Sequence, residues 1–153
     1  MMPVVGKRLW EKKPVSLFES IFLFMKKSNE PITYEGGCHC GAVRFQVIVN
    51  KHQAIDCNCS MCKKKGILHL IVSPEQFSLL KGDQVLTSYT FNTHTAKHTF
   101  CQICGIHPFY RPRSHPNGIS VNLRCLDGDV LSRFTIVPFD GANWEENVDK
   151  IRK

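Results

Sequence analysis

No stretch of the 153 residues is long and apolar enough to span a bilayer. The nearest candidate, VSLFESIFLFM at residues 15–25, is interrupted by Glu19 and followed at once by Lys26 and Lys27. No small-residue cleavage site follows it, so it does not read as an export signal either. Internal repeats and low-complexity tracts are also lacking, which sets aside solenoids and tail-like segments. With 42% hydrophobic and 22% charged residues, the composition does not suit general disorder. Acidic side chains are the scarcer charge, 13 against 20 Lys and Arg, for a formal net charge of +7. That balance invites a polyanion such as nucleic acid or a microtubule. Yet the first 30 residues, with six Lys/Arg against three Glu, hold three of those seven units. Ionised, metal-bound cysteines would lower the remainder, so nucleic-acid or microtubule binding is not expected.

Cysteine is what the chain has in excess. Eight occur, at positions 38, 40, 57, 59, 62, 101, 104 and 125. Without an export signal the expected compartment is reducing, cytoplasm or nucleus or both, and clustered thiols there hold metal more often than they form disulfides. On an extended strand Cys38 and Cys40 share one face and make a chelating pair. Cys101-Gln-Ile-Cys104-Gly105 has the spacing of a zinc-knuckle turn, and its glycine tolerates the positive φ such turns favour. Together the two pairs supply four thiolates, the closed tetrahedral set of a structural zinc. CNCSMC, residues 57–62, supplies three more through Cys57, Cys59 and Cys62, and leaves one corner without a cysteine. An open corner is the arrangement of a zinc that accepts water or a substrate atom. Spacing also admits a different partition, in which the knuckle joins Cys57 and Cys59 and strands Cys38 and Cys40. The first partition uses every local chelate whole and is preferred. Seven thiolates on two Zn²⁺, seven negative charges against four positive, would lower the formal charge from +7 to +4.

Residues 1–30 read as an appendage with a helix over 15–25, and residues 31–150 as one zinc-binding domain. That domain reads as all-β, in short pieces. AVRFQVIVN alternates Val43, Phe45, Val47 and Val49 against Arg44 and Gln46 with a period of two. Further strands are expected in GILHLIV (66–72), QVLTSYTF (84–91), AKHTF (96–100), IHPFYR (106–111) and GISVNLRCL (118–126), separated by Gly, Pro, Asn and Asp turn signals. SPEQFSLLKG reads as one short helical turn, and GANWEENVDKIRK as a C-terminal surface helix.

Three segments, GGCHCGAVRF, DCNCSMCKKK and HTFCQICGIHPFYRPRS, together resemble the glutathione-dependent formaldehyde-activating enzyme (GFA) family, and more closely its centromere protein V branch, over roughly residues 34–147. The resemblance implies an Mss4-like fold of small antiparallel sheets gathered around two zinc ions. It assigns Cys38, Cys40, Cys101 and Cys104 to a structural zinc, and Cys57, Cys59 and Cys62 to a second zinc near which glutathione binds. The implied reaction adds the glutathione thiol to formaldehyde, giving S-(hydroxymethyl)glutathione, formally a carbon–sulfur lyase step in reverse. The alternative is a catalytically idle zinc scaffold of the centromere protein V type that binds a protein or cytoskeletal partner. Methionine sulfoxide reduction is a poor third, because only Cys125 is left to serve as a recycling thiol.

Other residues carry a functional and a plain reading side by side. Lys63, Lys64 and Lys65 either attract the carboxylates of glutathione or form a solvated turn. Arg111 and Arg113 either clamp a carboxylate or decorate a surface loop. Cys125 reads as a core cysteine, and His39 points away from its flanking cysteines. His69, His98 and His107 read as satisfied, partly buried histidines rather than a fourth ligand. Asp56 reads as a turn cap rather than an acid or base.

Overall fold

The computed structural model describes Ser16, Leu17 and residues 30–152. Apart from Ser16 and Leu17, the helix expected over 15–25 lies outside the described residues. The compact unit beginning at Pro31 is built mainly of short strands. β1 (Ile32–Gly37), β2 (Arg44–Val49) and β5 (Phe77–Lys81) form a three-stranded antiparallel sheet in the order β1-β2-β5. β3 (Gln53–Cys57), β4 (Leu68–Val72), β8 (Phe109–Tyr110), β9 (Ile119–Asn122) and β10 (Thr135–Phe139) form a second sheet ordered β10-β3-β4-β9-β8. β6 (Leu86–Tyr89) pairs with β7 (His98–Cys101) as a separate antiparallel ribbon. No helix among the described residues is long and apolar enough to cross a membrane.

The period-two pattern of β2 behaves as read: Phe45, Val47 and Val49 are buried while Arg44, Gln46 and Ile48 are not. Phe45, Phe77 and Phe109 meet at ring-centre separations of 4.7–5.8 Å, joining the three-stranded sheet to the five-stranded one across a shared core.

Several elements depart from the sequence reading. β10 pairs with β3 in parallel, so the second sheet is mixed rather than antiparallel. Pro138 sits inside β10, which is tolerated because β10 is an edge strand with no ladder partner on its outer side. The helical turn expected in SPEQFSLLKG is a 3₁₀ turn over Pro74–Gln76 only, and the remainder is strand β5. The C-terminal helix is short: α2 spans Trp144–Asn147 and passes into a 3₁₀ turn over Val148–Lys150, with Asn147 and Val148 buried rather than solvated.

The five-stranded sheet places its chemistry by simple alternation. Along β4, Leu68, Leu70 and Val72 enter the core, so His69 and Ile71 face the other way. On β9 and β8 the core takes Ile119, Val121 and Phe109, leaving Ser120 and Tyr110 opposite. Register pairs Ile71 with Ser120 and Ser120 with Tyr110, so these side chains form one row across three strands.

Candidate functional site

The first thiol cluster forms where two turns meet. Cys38 follows β1 and Cys101 ends β7, and each turn closes on a glycine at φ 73°, Gly41 and Gly105. The Gly41 N–H donates to the Cys38 carbonyl at 3.1 Å, and the Gly105 N–H to the Cys101 carbonyl at 2.8 Å. A side chain at either glycine would strain the left-handed backbone. The four sulfurs of Cys38, Cys40, Cys101 and Cys104 lie within 4.8 Å of one another. Cys38 to Cys40 is 3.5 Å and Cys40 to Cys101 is 3.8 Å. These are not disulfide distances; they match the ~3.8 Å edge of a tetrahedron with metal–sulfur bonds of about 2.3 Å. The Val43 N–H donates to Cys38 Sγ at 3.2 Å, the kind of bond that stabilises a buried thiolate.

The second cluster is local. Cys57 ends β3, and helix α1 (Ser60–Lys65) begins immediately after. Cys59 is the N-cap of α1, its sulfur accepting from the Cys62 N–H at 3.5 Å, and Gly66 closes the helix at φ 60°. A strand end, a cap and a first helical turn thus bring three sulfurs within 4.8 Å. Sulfurs from the two clusters do not mix, so the structure groups the cysteines as four and three.

Three thiols this close cannot all ionise on their own. Hydrogen bonds from Cys57 and Cys62 hold Cys59 far below the ordinary thiol range, while the bond with Cys59 and burial push Cys57 up, and bonds with Cys57 and Cys59 together with burial push Cys62 up. A cation among the sulfurs removes the conflict, so the donor set of both clusters fits a thiophilic metal ion.

Two neighbours complete the second cluster's surroundings, of which the sequence pointed to His69 and not to Gly141. A Cβ built on Gly141 would overlap Cys57 Sγ and come within 3.3 Å of Cys59 Cβ, so the chain just past β10 passes directly over the sulfurs. Asn58 ties that crossing down: its amide donates to Asp140 Oδ1 at 2.9 Å and its carbonyl accepts from the Ala142 N–H at 2.8 Å. Behind the cluster, His69 Nε2 lies 3.2 Å from Cys62 Sγ, and its Nδ1 lies 3.0 Å from Ser120 Oγ and 3.3 Å from Tyr110 OH. Burial lowers His69 to about 4, so it is neutral at pH 7.

All three cysteines of the second cluster line a cavity of about 400 Å³, within the size range of small-molecule sites. None of the four cysteines of the first cluster does. Ile55, Ile71, Phe91, Phe139 and Trp144 make its apolar wall. Arg113 is the one lysine or arginine lining it among the described residues. Its guanidinium stacks 4.2 Å above Trp144 and bonds Glu145 at 3.3 Å. His98 also lines the cavity, stacked on Tyr110 at 4.9 Å and on Phe91 at 5.5 Å, and burial lowers it to about 4.

Several sequence candidates are placed elsewhere. Lys63, Lys64 and Lys65 do not line the cavity; Lys65 Nζ sits 3.0 Å from His107 Nδ1. Arg111 lies outside the lining too, opposite Lys97 in an isolated bridge. Asp56 lies exposed on β3 and caps nothing, since Cys59 takes that role for α1. Cys125 packs against the core, its sulfur 3.8 Å from the His107 carbonyl, and burial raises it to about 12.

A family model described as glutathione-dependent formaldehyde-activating enzyme matches residues 33–137. Among solved structures, the chain is similar to a protein of Rhodobacter sphaeroides, with a TM-score of 0.62 and 36% identity over 68% of this chain and 97% of that one.

Proposed function

The chain belongs to the glutathione-dependent formaldehyde-activating enzyme family, and from that premise we propose a two-zinc protein whose second site handles a glutathione adduct. One observation carries the reading: the three-thiol cluster lines a cavity of small-molecule size in which the four-thiol cluster takes no part. Cys38, Cys40, Cys101 and Cys104 would hold a closed, structural zinc, and Cys57, Cys59 and Cys62 an open one. When bound there, the second zinc supplies a cation that lowers the pKa of an entering thiol.

The chain's own residues do the remainder. Arg113 is the cation available to a glutathione carboxylate, and its present partner Glu145 is exposed enough to be exchanged at little cost. His98, a neutral imidazole on the cavity wall, takes the thiol proton. The sulfur attacks the formaldehyde carbon, a carbon–sulfur bond forms, and the carbonyl electron pair moves to oxygen. That oxygen takes up a proton to give S-(hydroxymethyl)glutathione; the reverse direction breaks the same bond. Apolar walls around the sulfurs keep competing water low. A reducing compartment, cytoplasm or nucleus, suits a protein that needs its thiols free for metal.

The test is calorimetric titration of glutathione into the zinc-loaded protein, with metal content determined alongside and the exchange of ¹³C-formaldehyde with glutathione followed by NMR. One glutathione per chain and exchange faster than the uncatalysed rate are expected. Binding without acceleration would favour the idle scaffold. No binding to a protein holding two zinc ions would remove glutathione from the account.

A further inference from the structure

We infer that His69 is a positioning residue for the second metal site: it donates an Nε2–H hydrogen bond to the Cys62 sulfur, and Ser120 and Tyr110 fix the tautomer that makes this possible. The inference rests on the metal-binding part of the reading above and not on glutathione. His69 itself falls outside the group of three mutually close donors, so it acts through Cys62. A metal-bound thiolate carries no proton, so the 3.2 Å contact from Nε2 to Cys62 Sγ is a hydrogen bond only if Nε2 bears the hydrogen. Nδ1 is then an acceptor. It faces two hydroxyls, Ser120 Oγ at 3.0 Å and Tyr110 OH at 3.3 Å, either of which can donate. His69 is 5%, Ser120 0% and Tyr110 8% exposed, so these bonds are largely shielded from bulk water, although His69 and Tyr110 also border the cavity.

The arrangement is rigid because the three residues come from adjacent strands. His69 is on β4, Ser120 on β9 and Tyr110 on β8, all on the face opposite the core. Three thiolates around a dication leave the site at net −1. An N–H···S bond draws charge from one sulfur, which makes Cys62 a weaker donor and the metal a better acceptor for a fourth group. At the first cluster the corresponding donor is the Val43 backbone N–H, which no substitution of its side chain removes. At the second cluster a side chain does the same work, and a substitution can remove it.

Cobalt-substituted full-length protein tests this with wild type, His69→Leu and His69→Gln. A hydrogen bond to a thiolate lowers its sulfur lone pairs and so raises the energy of sulfur-to-cobalt charge transfer. In His69→Leu, the charge-transfer intensity of one of the two sites should move to longer wavelength. The bond also orients Cys62 and offsets the net negative charge of the three thiolates, so the same variant should lose one metal equivalent to a chelator at about 10- to 100-fold lower chelator concentration. His69→Gln, whose amide nitrogen replaces Nε2, should restore both readings. A His69→Leu spectrum superimposable on wild type would overturn the inference. So would a His69→Gln variant that behaves like His69→Leu, since the histidine would then be a ligand or only a packing group. Wild type that binds a single cobalt ion would overturn the second metal site itself, and the inference with it.

Discussion

The four-thiol cluster takes its sulfurs from two turns, joining cysteines 61 residues apart, whereas the three-thiol cluster takes all of its own from residues 57–62. A cross-link between distant segments removes much conformational freedom from the unfolded chain, and one within a six-residue loop removes little. The first cluster also fastens the β1–β2 hairpin to the β6–β7 ribbon, which belong to different sheets. The second is already shaped by a strand end, a helix cap and the crossing at Gly141, and it lines a cavity. On the reading proposed above, the same side chain in two settings would divide the labour: one cluster would hold the fold and the other would be free for chemistry.

Breaking the first cluster should have the largest effect. Cys104→Ser leaves three ligands, and a structural zinc contributes on the order of 10 kcal/mol or more of apparent binding free energy. Domains of this size have only about 5–15 kcal/mol of net stability. The variant is expected to lose its cooperative melting transition by circular dichroism.

Acid is the next largest perturbation, and it acts on the second region. His69, His98 and His107 lie buried and neutral, lowered from 6.5 to about 4, 4 and 3, with burial the main cause in each. The unfolded chain then binds up to three more protons than the folded one as pH drops below 6.5. Their contribution to stability is intact above that value and is lost progressively down to about pH 3–4. Denaturant melts between pH 7.5 and 5 should show the midpoint falling, with one metal equivalent released before the other.

A smaller, more local effect is expected from Gly141→Ala. Its methyl group would displace Cys57 while leaving both sheets intact. We expect the loss of one metal equivalent by elemental analysis, with destabilisation of about 1–3 kcal/mol. Arg113→Gln is the mildest. It removes the stacking on Trp144 and an ion pair to an exposed carboxylate, so stability should fall by no more than about 1 kcal/mol. Glutathione affinity should fall roughly tenfold, about 1.4 kcal/mol, in the calorimeter.

Much of this division was readable from local spacing. The chelating pairs, the glycine after Cys104 and the alternation in β2 are properties of a few adjacent residues, and they behaved as short-range rules require. What escaped was long-range. β3 and β10 became legible only as a parallel pair some eighty residues apart, and that pairing carries Gly141 over Cys57. His69 reads as a satisfied histidine rather than a ligand, and it is partnered as read, but its contact with Cys62 and the identity of its partners Ser120 and Tyr110 depend on strands far along the chain. Lys63, Lys64 and Lys65 follow the thiol loop in sequence, yet α1 turns them away from the cavity. Helix α1 itself was missed because SMCKKK is short and capped by a cysteine, which is not a recognised capping residue.

The most direct test of the divided roles is Cys59→Ser, with zinc content, circular dichroism and glutathione calorimetry measured on the same preparation beside wild type. The account predicts a folded protein with a wild-type spectrum that holds one zinc ion rather than two and no longer binds glutathione. Global unfolding would make the second cluster another structural staple, and undiminished glutathione binding would separate that cluster from the chemistry; either result would contradict the account.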